Sequence, residues 1–265
     1  AVSSNPINCR FTGDESLSKR SMSRVTVYLE KLGARFKLTK NDYLPLETFG
    51  TVKLIPEEIT IKKPSAQIKT ALIFAGLNIS GKFSIRERVL TRDHTEKLLK
   101  YLNVKHKTRK GNDGSNLIEL NGPYEIYSKN IKVAGDPSSA AFFIVGALIT
   151  PGSKITLKNV MLNPTRIEYL KILKKMGGKI SVKKTNYFSG EQCGNISVRY
   201  SILKGINIDK LLSPLLIDEY PILSIAASCA AGKTVMNGVS ELRHKESDRI
   251  KSIVLNLRKV GVRAQ

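Results

Sequence analysis

Three short clusters in this chain bring together residue types that can hold anions or move protons. The first is Ser65-Ala66-Gln67, two polar side chains ahead of an apolar run. At a helix N-terminus such groups, with the unpaired backbone N–H donors, can cradle an anion or a hydroxyl; they also make an ordinary N-cap. The second is Asp218-Glu219, which precedes an otherwise apolar segment from Tyr220 to Ala231. Carboxylates at that position complement the helix dipole, and a partly buried one could act as a general base. The third is Arg243-His244-Lys245-Glu246-Ser247-Asp248-Arg249, in which every residue but Ser247 can ionise. A run of this kind is commonly a solvated face, yet its arginines also suit bidentate recognition of phosphate and carboxylate.

The elements that must position these clusters recur. Three segments share one order: a turn with Pro and small polar residues, an apolar helix, a Gly, a short strand, a turn, a second helix and another strand. The first runs KPSAQIKTALIFAGL, GKFSI, TRDHTEKLLKYLNVK; the second GDPSSAAFFIVGALI, PGSKITL, NPTRIEYLKILKKMGGKI; the third DEYPILSIAASCA, AGKTVMNG, KESDRIKSIVLNLRKVGVRA. Gly81, Gly152 and Gly232 mark the same break in each, spaced 71 and then 80 residues apart. The opening segment, DESLSKRSMSRVTVYLEKLGARF, matches only the second half of such a unit, and the chain ends just after another helix, so truncation at both ends is expected. Thr91 is expected to cap the helix begun by Arg92 and Asp93, with Leu98, Leu99 and Leu102 on its apolar face. Asn163-Pro164 should open the next such helix, with Ile167, Leu170, Leu173 and Met176 inward, Lys171, Lys174 and Lys175 outward, and Gly177-Gly178 at its end. Strands are expected at Lys154 to Leu157 and Lys179 to Val182. An Arg stands at the same turn in every repeat: Arg92, Arg166 and Arg249. Helices alternating with strands predict an α/β or α+β protein. The crossing between two domains falls at Lys129 to Val133, with 1–131 in the first and 132–265 in the second.

Composition bounds the function. With 41% hydrophobic and 25% charged residues over 265, the chain is not a disordered or collagen-like sequence. No apolar run approaches the roughly 18 residues of a membrane helix, and AVSSNPINCR has no signal-peptide pattern, so a soluble protein is expected. The net charge of +22, from 44 Lys and Arg against 22 Asp and Glu, suits nucleic acid, a small anionic substrate, or simply a solvated surface. Aromatics are 6% with no Trp, which disfavours a base-stacking platform. Cys9, Cys193 and Cys229, like His94, His106 and His244, are scattered without metal-ligand spacing. No metal site is expected, and a reducing compartment is the default. GxGxxG, P-loop, GxSxG and HExxH motifs do not occur in a supporting context.

With these segments in hand, the chain resembles the 5-enolpyruvylshikimate-3-phosphate synthase family. FTGDESLSKRSMSRV, PSAQIKTALIFAGL, TRDHTEKLL, GDPSSAAFF, NPTR, IDEYPILSIAA and ELRHKESDRI come in the family's order and cover nearly the whole chain. Ser-Ala-Gln is similar to the bacterial subgroup with Ala where other members carry a second Ser. The resemblance implies a two-domain enolpyruvyl transferase-like fold built from repeated βαβαββ-type units, with the site in the cleft between domains. It implies that Ser65, Ala66, Gln67 and Arg92 hold shikimate 3-phosphate and that Arg20 and Arg249 bind phosphoenolpyruvate, with Gln67 in reach. Asp218 would be the base toward the substrate 5-hydroxyl, Lys245 would contact the shared substrate region, and Glu246 would assist proton transfer. The implied reaction joins that hydroxyl to C2 of phosphoenolpyruvate and releases phosphate, without metal or organic cofactor. Only small-molecule partners are implied, neither nucleic acid nor membrane, in a cytoplasmic enzyme that is a monomer at full length.

The family's Lys-Ser and Arg segment, its Asn-Ala-Gly-Thr segment and its Asp-His-Arg segment find no match in these residues, so an incomplete site is expected. Competing readings are a fold-retaining inactive fragment, a UDP-sugar enolpyruvyl transferase and a basic nucleic-acid-binding protein. Ser65-Ala66-Gln67 and Lys245 to Arg249 argue against the UDP-sugar enzyme, and neither Cys193 nor Cys229 matches its reactive loop cysteine.

Overall fold

The computed structural model describes residues 1–38, 42–244 and 247–265. Two compact units divide the chain, Ala1–Asn130 and Ile131–Gln265. In the first unit, β1 (Asn8–Phe11), the short α1 (Glu15–Ser18), α2 (Ser23–Lys31), β2 (Arg35–Leu38) and β3 (Leu46–Phe49) come first. They form an antiparallel sheet in the order β1-β3-β2. A full unit follows: β4 (Glu58–Ile61), α3 (Ala66–Gly76), β5 (Gly81–Glu87), α4 (His94–Tyr101), β6 (His106–Lys110) and β7 (Asn116–Gly122). Its sheet order is β4-β5-β7-β6, with β4 and β5 parallel and the rest antiparallel. This is βαβαββ, and β1 to β3 repeat its second half.

The second unit repeats the plan. A parallel bridge from Gly135 to Val160 stands where β4 stood; α5 (Pro137–Ile149), β8 (Lys154–Met161), α6 (Glu168–Lys175), β9 (Lys179–Phe188) and β10 (Glu191–Arg199) follow. The order β8-β10-β9 reproduces β5-β7-β6. Then come β11 (Asn207–Ile208), α7 (Ser213–Leu216), α8 (Tyr220–Ser228), β12 (Val235–Met236) and α9 (Arg249–Lys259), with β11 and β12 parallel.

Backbone geometry makes the equivalence physical. Gly81, Gly152 and Gly232, the expected break points, all take positive φ, 101°, 77° and 87°. The second helices end alike. Gly33, Asn103, Gly177 and Gly261 each take positive φ after α2, α4, α6 and α9. In each case the next residue's N–H reaches the carbonyl five residues back: Ala34 to Leu29, Val104 to Leu99, Gly178 to Leu173 and Val262 to Leu257. All four are Schellman ends with a leucine at C3, and after α2, α4 and α6 they set where the next strand begins.

Each unit has its own core. In the first, Ile68, Leu72, Ile73 and Ala75 of α3 lie buried with Phe83 and Ile85 of β5 and Ile118 and Leu120 of β7. Gly76 is required there, since a Cβ would stand 2.4 Å from the Phe83 ring. In the second, Ala141, Ile144, Val145 and Leu148 of α5 join Leu223 and Ala226 of α8 and Ile196 and Val198 of β10. Leu170, Leu173 and Met176 are buried and Lys171, Lys174 and Lys175 exposed, as the periodicity predicts.

Three helix boundaries differ from expectation. Thr91 does not cap α4: its amide and hydroxyl both donate to the Glu87 carboxylate, and the helix starts at His94. Asn163 closes a tight turn instead, its Oδ1 accepting from the Thr165 amide and hydroxyl, and α6 starts at Glu168. The helix expected to reach Ala231 stops at Ser228, because Ala231 is drawn into backbone pairing with Leu203 and Gly205.

Candidate functional site

In the first unit the site residues gather at the start of α3. Ser65 is its N-cap, extended at φ −157°, and its Oγ accepts from the Ile68 amide. Ala66 and Gln67 are the first two residues of the helix, and Gln67 is exposed. Arg24, in the first turn of α2, donates from Nη2 to Ser65 Oγ and to Gln67 Oε1, both at 3.4 Å. Arg20 lies in the exposed turn after α1, in the same stretch as Arg24. Sequence reasoning missed Arg24; the available signal was its spacing of four residues from Arg20, which is one helical turn.

A buried ionic cluster fixes the Arg92 loop. Lys69 Nζ, fully buried on α3, lies 3.3 Å from Glu87 Oε1 and 2.7 Å from Glu96 Oε1. Glu87 in turn receives Thr91, the residue before Arg92. Thr70 and Thr95 share a 2.6 Å hydroxyl contact, a second tie between α3 and α4. Half-buried Arg92 therefore stands on a loop anchored to α3.

In the second unit Asp218 occupies the break between α7 and α8, whose axes bend by 114°. The half-buried Asp218 Oδ1 faces Arg249 Nη1 at 3.7 Å. Arg249 opens α9, and its neighbour Asp248 is the N-cap, accepting from the Lys251 amide at 2.9 Å. That backbone bond, with Arg243 Nη1 at 2.8 Å, holds the Asp248 carboxyl below its usual range. Arg243 and Asp248 thus neutralise one another at the helix start. Lys245 and Glu246, the expected substrate contact and proton-transfer group, lie outside the described residues.

The middle repeat shows the same device closed on itself. Asp136 caps α5, accepting from the Ser138 and Ser139 amides at 3.2 and 3.0 Å. Arg166 Nη2 reaches Asp136 Oδ1 at 3.0 Å and Ser138 Oγ at 2.7 Å, while Ser138 Oγ donates to the buried Glu219. Burial opposes ionisation of Asp136, but the Ser139 and Ser138 bonds and the Arg166 charge prevail, so its carboxyl sits below its usual range. Two repeats therefore set an Arg from the second turn against an acid at the first helix start. The first repeat carries Ser65-Ala66-Gln67 at that place, with no acid.

The pattern of the EPSP synthase (3-phosphoshikimate 1-carboxyvinyltransferase) family matches residues 1–265. A 3-phosphoshikimate 1-carboxyvinyltransferase of Zymomonas mobilis is 44% identical over 261 residues, 98% of this chain and 57% of the relative. One of Caldicellulosiruptor bescii is 47% identical over 252 residues, 95% of this chain and 58% of its own length. Among solved structures, EPSP synthase from Acinetobacter baumannii superposes with a TM-score of 0.85 at 40% identity, covering 97% of this chain and 57% of that one. The enolpyruvyl transferase NikO from Streptomyces tendae shares the fold, with a TM-score of 0.62 at 12% identity over 88% of this chain and 53% of its own. The chain thus spans somewhat less than three fifths of the length of these relatives. Among the described residues, no single helix is long and apolar enough to cross a membrane.

Proposed function

Because the chain belongs to the EPSP synthase family, we propose that it carries part of an enzyme that transfers the enolpyruvyl group of phosphoenolpyruvate to the 5-hydroxyl of shikimate 3-phosphate. The observation that carries this reading is the Asp218–Arg249 pair, a carboxylate and a guanidinium 3.7 Å apart at a broken helix. A half-buried carboxylate can take the proton of an attacking hydroxyl, and a guanidinium beside it can hold the phosphate or carboxylate of phosphoenolpyruvate. The acid-free start of α3, with Ser65, Ala66, Gln67 and Arg92, suits the other anion, shikimate 3-phosphate. Arg20 adds a cation toward phosphoenolpyruvate.

In this reading residues 1–131 supply the shikimate 3-phosphate side and residues 132–265 the base. Asp218 removes the 5-hydroxyl proton as that oxygen attacks C2 of phosphoenolpyruvate, while C3 gains a proton. The tetrahedral intermediate then loses a C3 proton and phosphate, leaving the enolpyruvyl ether. Lys245 and Glu246 would serve the shared substrate region and the C3 proton transfers. The reading carries with it a cytoplasmic setting, small-molecule partners only and a monomer at the relatives' length.

Calorimetric titration of the chain with shikimate 3-phosphate, against inorganic phosphate and with Arg92→Ala, tests the binding half. Saturable binding that exceeds phosphate and weakens about tenfold or more in the variant is expected. Its absence overturns the reading. In a chain restored to the length of its relatives, Asp218→Asn should cut turnover by roughly a hundredfold or more while binding is kept. Turnover equal to the parent would remove Asp218 as the base.

A further inference from the structure

We propose that Arg24 is a positioning residue that fixes Ser65 and Gln67 as hydrogen-bond donors and so makes the start of α3 selective for an acceptor-rich, anionic ligand. The inference rests on the site reading above and deepens it. A serine hydroxyl offers one donor and two acceptor sites, and a glutamine amide can present either its oxygen or its nitrogen. Left alone, both side chains are indifferent to whether a ligand donates or accepts.

Arg24 removes that indifference. A guanidinium can only donate. Its Nη2 at 3.4 Å from Ser65 Oγ uses one acceptor site, and the Ile68 amide uses the other. The Ser65 O–H is then left to donate. The same Nη2 at 3.4 Å from Gln67 Oε1 occupies the amide oxygen, which turns the two Nε2 hydrogens away from Arg24. Two side chains that could have bound a hydroxyl either way are thereby set for phosphate or carboxylate oxygens. The positions hold because both ends are anchored. Arg24 lies on α2, whose Tyr28 and Leu29 enter the core of the first unit, and Ser65 and Gln67 sit at the start of α3, whose Ile68 and Leu72 enter the same core.

The proposal distinguishes orientation from mere charge, and a double-mutant cycle separates them. Affinity for shikimate 3-phosphate is measured in the parent, in Arg24→Met, in Ser65→Ala/Gln67→Ala and in the triple variant. Arg24→Met should weaken binding about tenfold in the parent and hardly at all once Ser65 and Gln67 are gone. An equal loss in both backgrounds means Arg24 acts on the ligand as a bare charge and overturns the proposal. A ligand-free readout accompanies it: the Gln67 side-chain amide resonances in a 15N-labelled chain should move in Arg24→Met and stay near the parent in Arg24→Lys. Resonances that ignore Arg24→Met overturn the proposal whether or not ligand binds. If they move but the parent never saturates with shikimate 3-phosphate, the positioning role stands and the functional reading falls.

Discussion

Asp136 shows at the scale of one residue how this chain settles charge without a ligand. Its carboxylate takes two backbone amides, the Ser139 hydroxyl and the Arg166 guanidinium. Its folded pKa therefore lies below its ordinary 3.8. A depressed carboxylate contributes stability that is complete above the unfolded value and disappears as pH falls through the folded one. Asp136→Ala should cost about 1–2 kcal/mol at neutral pH through the lost cap and ion pair. Urea denaturation repeated near pH 2.5 should show that gap narrowing; an unchanged gap would mean the carboxylate's charge plays no part. Asp136 was legible only as a residue opening the second repeat, because its role depends on Arg166, thirty positions away. The partners of Arg24 were illegible for the same reason, since β2, β3 and β4 lie between it and Ser65 and Gln67 in the chain. Asp218 and Arg249 were legible as candidates, a carboxylate ahead of an apolar helix and an Arg recurring at one turn of each repeat, while their roles came from the family resemblance.

At the scale of elements, the repeat was readable from its glycines, since a positive φ strongly favours Gly, as at Gly81, Gly152 and Gly232. Asn103 hides the same signal, because it takes the left-handed turn that Gly33, Gly177 and Gly261 take elsewhere. Side-chain competition for the backbone was not readable: Thr91 and Asn163 look like caps, and each is diverted by a partner or turn outside the helical pattern. The Lys69 cluster was likewise invisible, for a lysine two places after Gln67 reads as an exposed helix residue. It is fully buried between Glu87, 2% exposed, and Glu96, 10% exposed. Removing the cation strands two carboxylates in the core, so Lys69→Met should cost about 3–5 kcal/mol in chemical denaturation. Lys69→Met/Glu87→Gln/Glu96→Gln should recover a large part of that loss. No recovery would show that Lys69 acts through its packing and not through its charge.

Over the whole molecule the +22 charge has a structural distribution that sequence alone left open. Lys107, Lys110, Lys179, Lys183 and Lys184 are exposed on β6 and β9, and these strands are the last in the orders β4-β5-β7-β6 and β8-β10-β9. Lysines on edge strands block pairing between chains, because a second edge cannot approach without burying ammonium groups. These five lysines thus protect sheet edges in both units, while Arg20, Arg24, Arg92 and Arg249 stand as cations of the candidate sites. The two roles can be separated. Lys107→Gln/Lys110→Gln/Lys183→Gln/Lys184→Gln should leave shikimate 3-phosphate affinity within about twofold and raise light scattering at high protein concentration. A nucleic-acid-binding protein would behave otherwise: those lysines would carry affinity for duplex DNA, with a steep dependence on salt that flattens in the variant. If the variant lost DNA affinity in that way and stayed monodisperse, the edge lysines would be a binding surface, and the small-anion reading would no longer account for the charge.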